Sequence, residues 1–292
     1  MVCYIFIRYT HKRREKLEAP LKTLTPYGGR LTFQLPAGNS LVIHLKDNLK
    51  IRNKKRWSQV MYMYYLLGYK FFNDLSMMEK LYSHVPDINK VKTSKVFTGF
   101  GSLLNNIDPK LRAKLESTFI LTLDGDVEFQ PEAVRLMVDK IKENKRLGSV
   151  CGRVHPIGSG PVVWYQQFEY AVGHWLQKVT EHVFGTVMCS PGCFSLLRGS
   201  TLLEDHILPI YTTRASEASD YVQYDQGEDR WLSTLIIQQG YFISYVSAAH
   251  SMTYSPETFH VIFIFNFSIN DSRWEFGKSL TYILRSPINI KD

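Results

Sequence analysis

The segment from residue 117 to residue 155 constrains the fold more than any other part of this 292-residue chain. The run "TFILTLD" is apolar and ends at Asp124, as a strand buried in a sheet does. Pro131 suits the first turn of a helix. Four apolar residues follow at helical spacing: Val134, Met137, Val138 and Ile141. We interpret Gly148 as the end of this helix and "SVCGRVH" as the next strand. Strand, helix and strand in this order predict an α/β fold with parallel strands.

Basic charge is concentrated at the N-terminus. Residues 1–60 hold 13 Lys/Arg against 3 Asp/Glu, and the other residues hold 22 against 24. This excess is typical of a segment that meets phosphate, nucleic acid or lipid headgroups, and equally of a solvated basic face. In the same region, "LTFQL" and "LVIHL" flank a turn and predict a β-hairpin, and "SQVMYMYYLLGYK" predicts a helix.

Three other features are disfavoured: a disulfide framework, a zinc site and a membrane span. The four cysteines, Cys3, Cys151, Cys189 and Cys193, are too few for a disulfide framework, so reduced thiols are expected. Cys189 and Cys193 lie four residues apart, but no further His or Cys completes a zinc set beside them. The longest apolar runs, "MYMYYLLGY" and "VIFIFNF", fall short of the roughly 20 residues that a membrane span needs. The chain alone is therefore not expected to be an integral membrane protein.

Three short motifs carry candidate chemistry. In "LTLDGDVEF", Asp124 and Asp126 follow a buried strand and can share a divalent cation with a nucleotide diphosphate, although Asp-Gly-Asp is also an ordinary turn. In "QYDQGEDRWL", Asp225 and Glu228 have capping-box spacing, and Asp229 is either a first-turn acid or a general base. "CSPGCFSLLRG" is a turn that leads into a strand, with or without a ligand beside it. None of the three decides the function alone.

A long helix is predicted after the loop "HPIGSGP". Its apolar residues form one stripe that we expect to pack against the core: Trp164, Phe168, Ala171, Val172, Trp175 and Val179.

The order of the motifs is more specific than any one of them. "TLDGD", "GSGPVVWYQQFEYAVGHWLQK", "CSPGCFS" and "QGEDRW" strongly resemble the chitin synthases, which are processive family-2 glycosyltransferases. "TPYGGR" and "HLKDNLKIRNKKRWSQVMYMYYLLG" resemble the animal branch of that family. The resemblance spans about residues 25–258. It implies a GT-A-like α/β fold with a mixed, mainly parallel sheet and helices on both faces.

The resemblance also implies an activity. Chitin synthases use UDP-GlcNAc and a divalent metal, Mn²⁺ or Mg²⁺, to extend a chitin chain that passes through their own helices in the plasma membrane. By position, Asp124 and Asp126 match the metal and nucleotide carboxylates, with Asp126 favoured for the metal. Asp229 matches the catalytic base, with Glu228 beside it. The acceptor-binding segments match two runs of residues: Ser190, Pro191, Gly192, Cys193 and Phe194, and Trp164, Tyr165 and Gln166.

The sequence departs from the family in three respects. The family's first nucleotide-binding strand and its transmembrane helices are not found, and a Gln-x-x-Arg-Trp motif does not follow "YSPETF". The nearest match is Asn270-x-x-Arg273-Trp274, which we interpret as coincidence. The resulting division is a basic hairpin and connecting region over 1–116, a catalytic core over 117–259 and a divergent tail over 260–292. We expect this polypeptide alone not to synthesise chitin.

Other functions stay open at this point. Another processive β-glycosyltransferase, of the hyaluronan or cellulose synthase type, would share the carboxylates, but "CSPGCFS" and "GPVVWYQ" disfavour it. A protein that binds a sugar nucleotide without catalysis would also share them. A nucleic-acid partner rests only on the basic residues of 1–60 and is not expected. The sequence does not indicate the oligomeric state.

Overall fold

A computed structural model describes residues 19–35, 40–47, 49–50, 55–70, 109–204, 206–255 and 257. The chain divides into two compact units, Met1–Ser58 and Gln59–Asp292. The described residues 59–70 and 109–116, which the sequence grouped with the N-terminal region, therefore fall in the second unit. The predicted tail over 260–292 lies outside the described residues.

The first unit contains a three-stranded antiparallel sheet. Its strands are β1 (Leu21–Thr25), β2 (Gly28–Gln34) and β3 (Ser40–Lys46), in the order β1-β2-β3. Leu31 pairs with Ile43 in the centre of the β2–β3 ladder, which confirms the predicted hairpin. Helix α1 (Lys55–Met63) follows and continues as a π-helical segment, Tyr64–Lys70, so the predicted aromatic helix is also confirmed. The division between the two units falls within α1.

The second unit contains a five-stranded sheet with helices around it. In chain order after α1, its elements are α2 (Pro109–Glu116), β4 (Phe119–Leu123), β5 (Val127–Phe129), α3 (Pro131–Glu143), β6 (Leu147–Ile157), α4 (Pro161–Ala171), a π-helical turn Val172–Gln177, α5 (Lys178–Val183), β7 (Phe194–Arg198), α6 (Gly199–Leu202), α7 (Leu208–Tyr211), α8 (Ala218–Asp220), a second π-helical turn Tyr221–Gln226, α9 (Glu228–Gln238) and β8 (Phe242–Tyr254). The predicted alternation of strands and helices is confirmed.

The strand order in this sheet is β4-β7-β6-β8-β5. Only β6 and β8 pair in parallel, and the β4–β7, β6–β7 and β5–β8 pairs are antiparallel. The mixed sheet is therefore confirmed, but the expectation that it is mainly parallel was wrong for neighbouring pairs. β4 and β6 do run in the same direction, as the strand-helix-strand pattern requires. That pattern fixes direction and not adjacency, and β7 inserts between the two strands.

Helices cover both faces of the sheet, as predicted. Alternate residues of β7 point to opposite faces. Leu196 packs in a cluster with Met137 and Ile141 of α3. Leu197 packs in a separate cluster with Ile236 of α9. The core therefore has two layers, and the sheet lies between them.

Two local predictions were wrong. Helix α3 ends at Glu143, and Gly148 lies inside β6 rather than at the helix end. A Cβ atom at Gly148 would lie 2.8 Å from Ile236 Cγ2, so close packing of α9 explains this glycine. The aromatic stripe of α4 and the turn after it does not pack in the core. Trp164 is 65% exposed and Phe168 is 68% exposed, whereas the narrow buried face consists of Val162, Val163 and His174. An apolar stripe marks a face of a helix but does not say what covers it.

The described cysteines Cys151, Cys189 and Cys193 are free thiols, as expected. In the part of the chain that the structure describes, no helix combines the length and the apolar character needed to cross a bilayer.

The close approach of β6 to β7 yields a test of the core. A Cβ atom at Gly152 would lie 2.4 Å from Phe194 Cε1 and 2.6 Å from the Ala249 carbonyl oxygen. Because this site is enclosed, we expect Gly152→Ala to lower the free energy of unfolding by about 1–3 kcal/mol. Gly173→Ala is the control, since nothing lies within 4 Å of a Cβ there. Urea denaturation measures both variants, and equal stabilities would contradict the described packing.

Candidate functional site

The carboxylates predicted from "LTLDGD" lie where β4 ends. Backbone pairing of Leu123 with Phe194 brings this end of β4 beside the start of β7. The Asp124 N–H donates to the Cys193 carbonyl at 3.3 Å, which places the carboxylate motif directly against the "SPGC" turn. Asp126 Oδ2 accepts a hydrogen bond from Thr253 Oγ1 at 3.3 Å, near the end of β8. Two strands therefore hold the two carboxylates.

Asp229 lies on the first turn of α9, as predicted, but the predicted capping box is absent. Gly227 is the N-cap residue, and it makes no side-chain cap. Residues 221–226 already form a π-helical turn, so Asp225 lies within a helical segment and cannot act as the cap. Glu228 is the first residue of α9, and its side chain is buried. The first-turn position that favours a negative charge on Asp229 is confirmed.

The "SPGC" turn and Asp229 are immediate neighbours. A Cβ atom at Gly192 would lie 2.6 Å from Asp229 Oδ1, so only glycine lets the turn pass this close to the carboxylate. Gln59 Nε2 of α1 donates to the same Oδ1 atom at 3.5 Å. The Tyr211 hydroxyl in turn donates to Gln59 Oε1. The Asp229 carboxylate is therefore oriented by a two-residue relay from α1 and α7.

The pKa values of two tyrosine hydroxyls are raised by burial and by carboxylates that come from different elements. Burial, together with the negative charges of Asp229 and Asp124, raises the pKa of the Tyr62 hydroxyl. Burial, then the charges of Cys193, Asp124, Asp126 and Glu169, raises the pKa of Tyr170 to about 12. The negative charges of Asp124 and Asp229, which are far apart in sequence, therefore both act on the Tyr62 hydroxyl.

A chain of serines fixes the turn to its surroundings. The Ser190 N–H donates to Ser233 Oγ at 2.9 Å, and Ser233 Oγ donates to the Asp229 carbonyl at 2.7 Å. The Ser190 hydroxyl donates to Ser195 Oγ at 2.8 Å and lies 2.7 Å from Ser149 Oγ, which is then the donor of that pair. Ser195 donates to the Pro191 carbonyl. Ser190 is therefore committed to internal hydrogen bonds and supports the turn.

The remaining predicted residues lie in different surroundings. Phe194 is fully buried in the α3 layer and stacks on Phe129 with ring centroids 5.9 Å apart, so its side chain belongs to the core. Trp164 and Tyr165 are exposed, and Tyr165 donates to Glu169 of the same helix. Gln166 Nε2 donates to the Val162 carbonyl one turn earlier. The "WYQ" residues thus lie on an open helix face, and their predicted acceptor role stays a prediction.

The sequence-based prediction missed Gln59, Tyr62, Tyr170, Tyr211 and Ser233. A signal was present for the first two. Gln59 and Tyr62 lie three residues apart in an otherwise apolar run, which places two polar groups on one helix face. Tyr211 and Ser233 carry no such signal, because only the tertiary fold brings them beside the turn and the base.

Asp124 and Asp126 suit a metal ion that is bound together with a substrate phosphate. Among the described residues, no three His, Cys, Asp or Glu side chains form a metal cluster. Magnesium and manganese at phosphate-transfer sites are commonly held by one or two carboxylates together with substrate phosphates. Asp124 and Asp126 are two carboxylates that could hold such a metal, and Asp229 is a separate carboxylate that could accept a proton. The arrangement can therefore serve a nucleotide-dependent group transfer.

Comparison with known proteins shows similarity to one family. A family model described as chitin synthase matches residues 47–271. The chain is 49% identical over 255 residues to chitin synthase chs-2 of Caenorhabditis elegans, which covers 87% of this chain and 13% of that protein. It is 49% identical over 249 residues to a chitin synthase of Meloidogyne artiellia, covering 85% and 12%. A chitin synthase csmA of Aspergillus niger is 33% identical over 157 residues, 49% of this chain and 10% of that protein.

The chain thus spans a small part of the length of these relatives. The family match runs past residue 259, where the sequence-based prediction ended the catalytic core, and it covers more than half of the chain. The chain therefore belongs to the chitin synthase family.

Proposed function

We propose that this chain carries the catalytic core of a chitin synthase. The core would transfer GlcNAc from UDP-GlcNAc to the 4-hydroxyl of a growing chitin chain, with inversion at the anomeric carbon. The observation that supports this most strongly is that Asp124 and Asp229 both lie against the "SPGC" turn and both act on the Tyr62 hydroxyl. Family membership supports the same substrates, and the plasma membrane is the location that it suggests.

In the proposed mechanism Asp229 is the general base. The acceptor hydroxyl gives its proton to the Asp229 carboxylate while its oxygen forms a bond to the anomeric carbon. The bond between that carbon and the UDP oxygen breaks, and UDP leaves with the electron pair. The position of Asp229 at the start of α9 keeps the carboxylate ionised before transfer. Gln59 Nε2 donates to Oδ1 of this carboxylate and so orients it beside the turn.

Asp126 and Asp124 would hold the divalent metal, Mn²⁺ or Mg²⁺, which when bound neutralises charge on the diphosphate leaving group. Pro191, Gly192 and Cys193 would line the acceptor site, because they form the turn beside Asp229. Ser190 and Phe194 would act by positioning that turn.

We further propose that the chain does not polymerise chitin alone, because its sequence lacks the Gln-x-x-Arg-Trp motif after "YSPETF".

Donor binding is the first test. UDP titrated into the chain by calorimetry should bind more tightly with Mn²⁺ than without it, since the metal removes repulsion between carboxylate and phosphate. Asp126→Asn should abolish the Mn²⁺-dependent part of the affinity. Asp139→Asn is the matched control, because Asp139 is an exposed aspartate of α3 in the same unit. Equal Mn²⁺ dependence in both variants would contradict the proposed metal site.

Base catalysis is tested by release of UDP from UDP-GlcNAc in the presence of a chito-oligosaccharide. One transfer releases one UDP, so the assay does not require polymer. Asp229→Asn should lower the rate by roughly 10²–10⁴-fold, the usual contribution of a general base, with an unchanged donor Kd. A rate equal to that of the unmodified chain would contradict the base role. Tight donor binding with no UDP release from the unmodified chain would instead support a non-catalytic sugar-nucleotide-binding function.

A further inference from the structure

A cavity of about 240 Å³ lies between the end of β6 and the helical segment over 161–183. Its polar lining consists of Arg153, His155, Gln167, Tyr170 and His174, with Trp175 beside them. The lining contains no Asp or Glu. The volume is far larger than the roughly 10–15 Å³ that one water molecule needs, so the cavity can admit a small organic ligand.

Arg153 brings an uncompensated charge to this cavity. The residue is only 6% exposed. Its Nε donates to the Tyr245 hydroxyl at 3.1 Å, and its guanidinium lies over the Trp175 ring at 4.0 Å. Both of these partners are neutral, and no carboxylate among the described residues forms an ion pair with Arg153. Buried charges in proteins are normally paired, so this guanidinium has capacity for an anion.

His174 brings an unused donor to the same cavity. It is 6% exposed, and its Nε2 accepts a hydrogen bond from the Val154 N–H at 3.3 Å. Burial, then the charges of Lys178, Arg153 and His155, lowers the pKa of His174 to about 3, so the ring is neutral. A neutral ring that accepts at Nε2 carries its proton on Nδ1. Nδ1 is buried, and within the described part of the chain it has no hydrogen-bond partner.

We propose that this cavity binds the oxyanion group of a small ligand, a phosphate or a carboxylate. The Arg153 guanidinium supplies the positive charge in a geometry that matches planar and tetrahedral oxyanions. The Nδ1–H of His174 supplies a neutral donor, and Trp175 stacks on the guanidinium. Tyr170 also lines the cavity, and its pKa is raised by burial and by the charges of Cys193, Asp124 and Asp126. The proposal does not depend on the chemistry assigned to Asp229.

Tryptophan fluorescence tests the proposal, because the anion would bind the guanidinium that stacks on Trp175. The chain is titrated with inorganic phosphate, with acetate and with UDP, without divalent metal and at constant ionic strength. We expect phosphate or acetate to change the emission in a saturable manner. Trp175→Phe should remove this change, and Trp164→Phe, an exposed tryptophan of the same helical segment, should retain it. No saturable change with either anion would overturn the proposal.

Arginine variants identify the binding group. Arg153→Gln should weaken phosphate or acetate binding by about tenfold to a hundredfold, as for a lost charged hydrogen bond. Arg153→Lys should retain part of the affinity, because it keeps the positive charge. Retained affinity would show that the site still folds when Arg153 is replaced. Arg146→Gln is the control, since Arg146 also stacks on an aromatic ring, that of Phe242. Equal weakening by Arg146→Gln would overturn the proposal. So would binding of UDP alone that is lost in Asp126→Asn, because the anion would then occupy the donor site.

Discussion

The candidate site depends on one hydrogen-bonded link, from the Ser190 N–H through Ser233 to the Asp229 carbonyl. This link joins the turn before β7 to the first turn of α9, in addition to the core packing of Leu197 with Ile236. Once they are joined, Gly192 lies against the Asp229 carboxylate, and the pairing of β7 with β4 brings Asp124 to the same place. The serine that closes the link is buried, so water does not compete for its hydrogen bonds.

The site is also assembled from segments distant in sequence. Gln59 and Tyr62 come from α1, Asp124 and Asp126 from the end of β4, and Asp229 from α9. Each segment carries one part of the proposed chemistry. Helix α1 would orient the base, the carboxylates after β4 would hold the metal at the leaving group, and α9 would supply the group that accepts the proton. Tyr62 is partly buried, and the negative charges of both Asp229 and Asp124 contribute to the raised pKa of its hydroxyl.

Much of this could be predicted from the sequence. The apolar run ending at Asp124, Pro131 at the start of α3 and the acids at the start of α9 are local signals, and the structure confirms them. The strand order could not be predicted. The strand-helix-strand pattern indicates that β4 and β6 run in the same direction, but it does not show that β7 lies between them. Asp225 fails as a cap because the π-helical turn before α9 shifts the helix start, and residue spacing alone does not show such a turn. Arg153 and His174 had no signal either, since their burial arises only from tertiary packing.

The central claim is that the carboxylates after β4 and the residues of α1 and α4 enclose one metal-nucleotide site. Fluorotyrosine NMR of the chain with Mn²⁺ and UDP tests it directly, because the paramagnetic ion broadens nearby signals. We predict selective broadening of the Tyr62 and Tyr170 signals. Tyr241 should stay sharp, since it precedes β8 at the end opposite Thr253, roughly 30 Å away along the length over which β8 pairs with β6. Broadening of Tyr241 with sharp Tyr62 and Tyr170 signals would contradict the account.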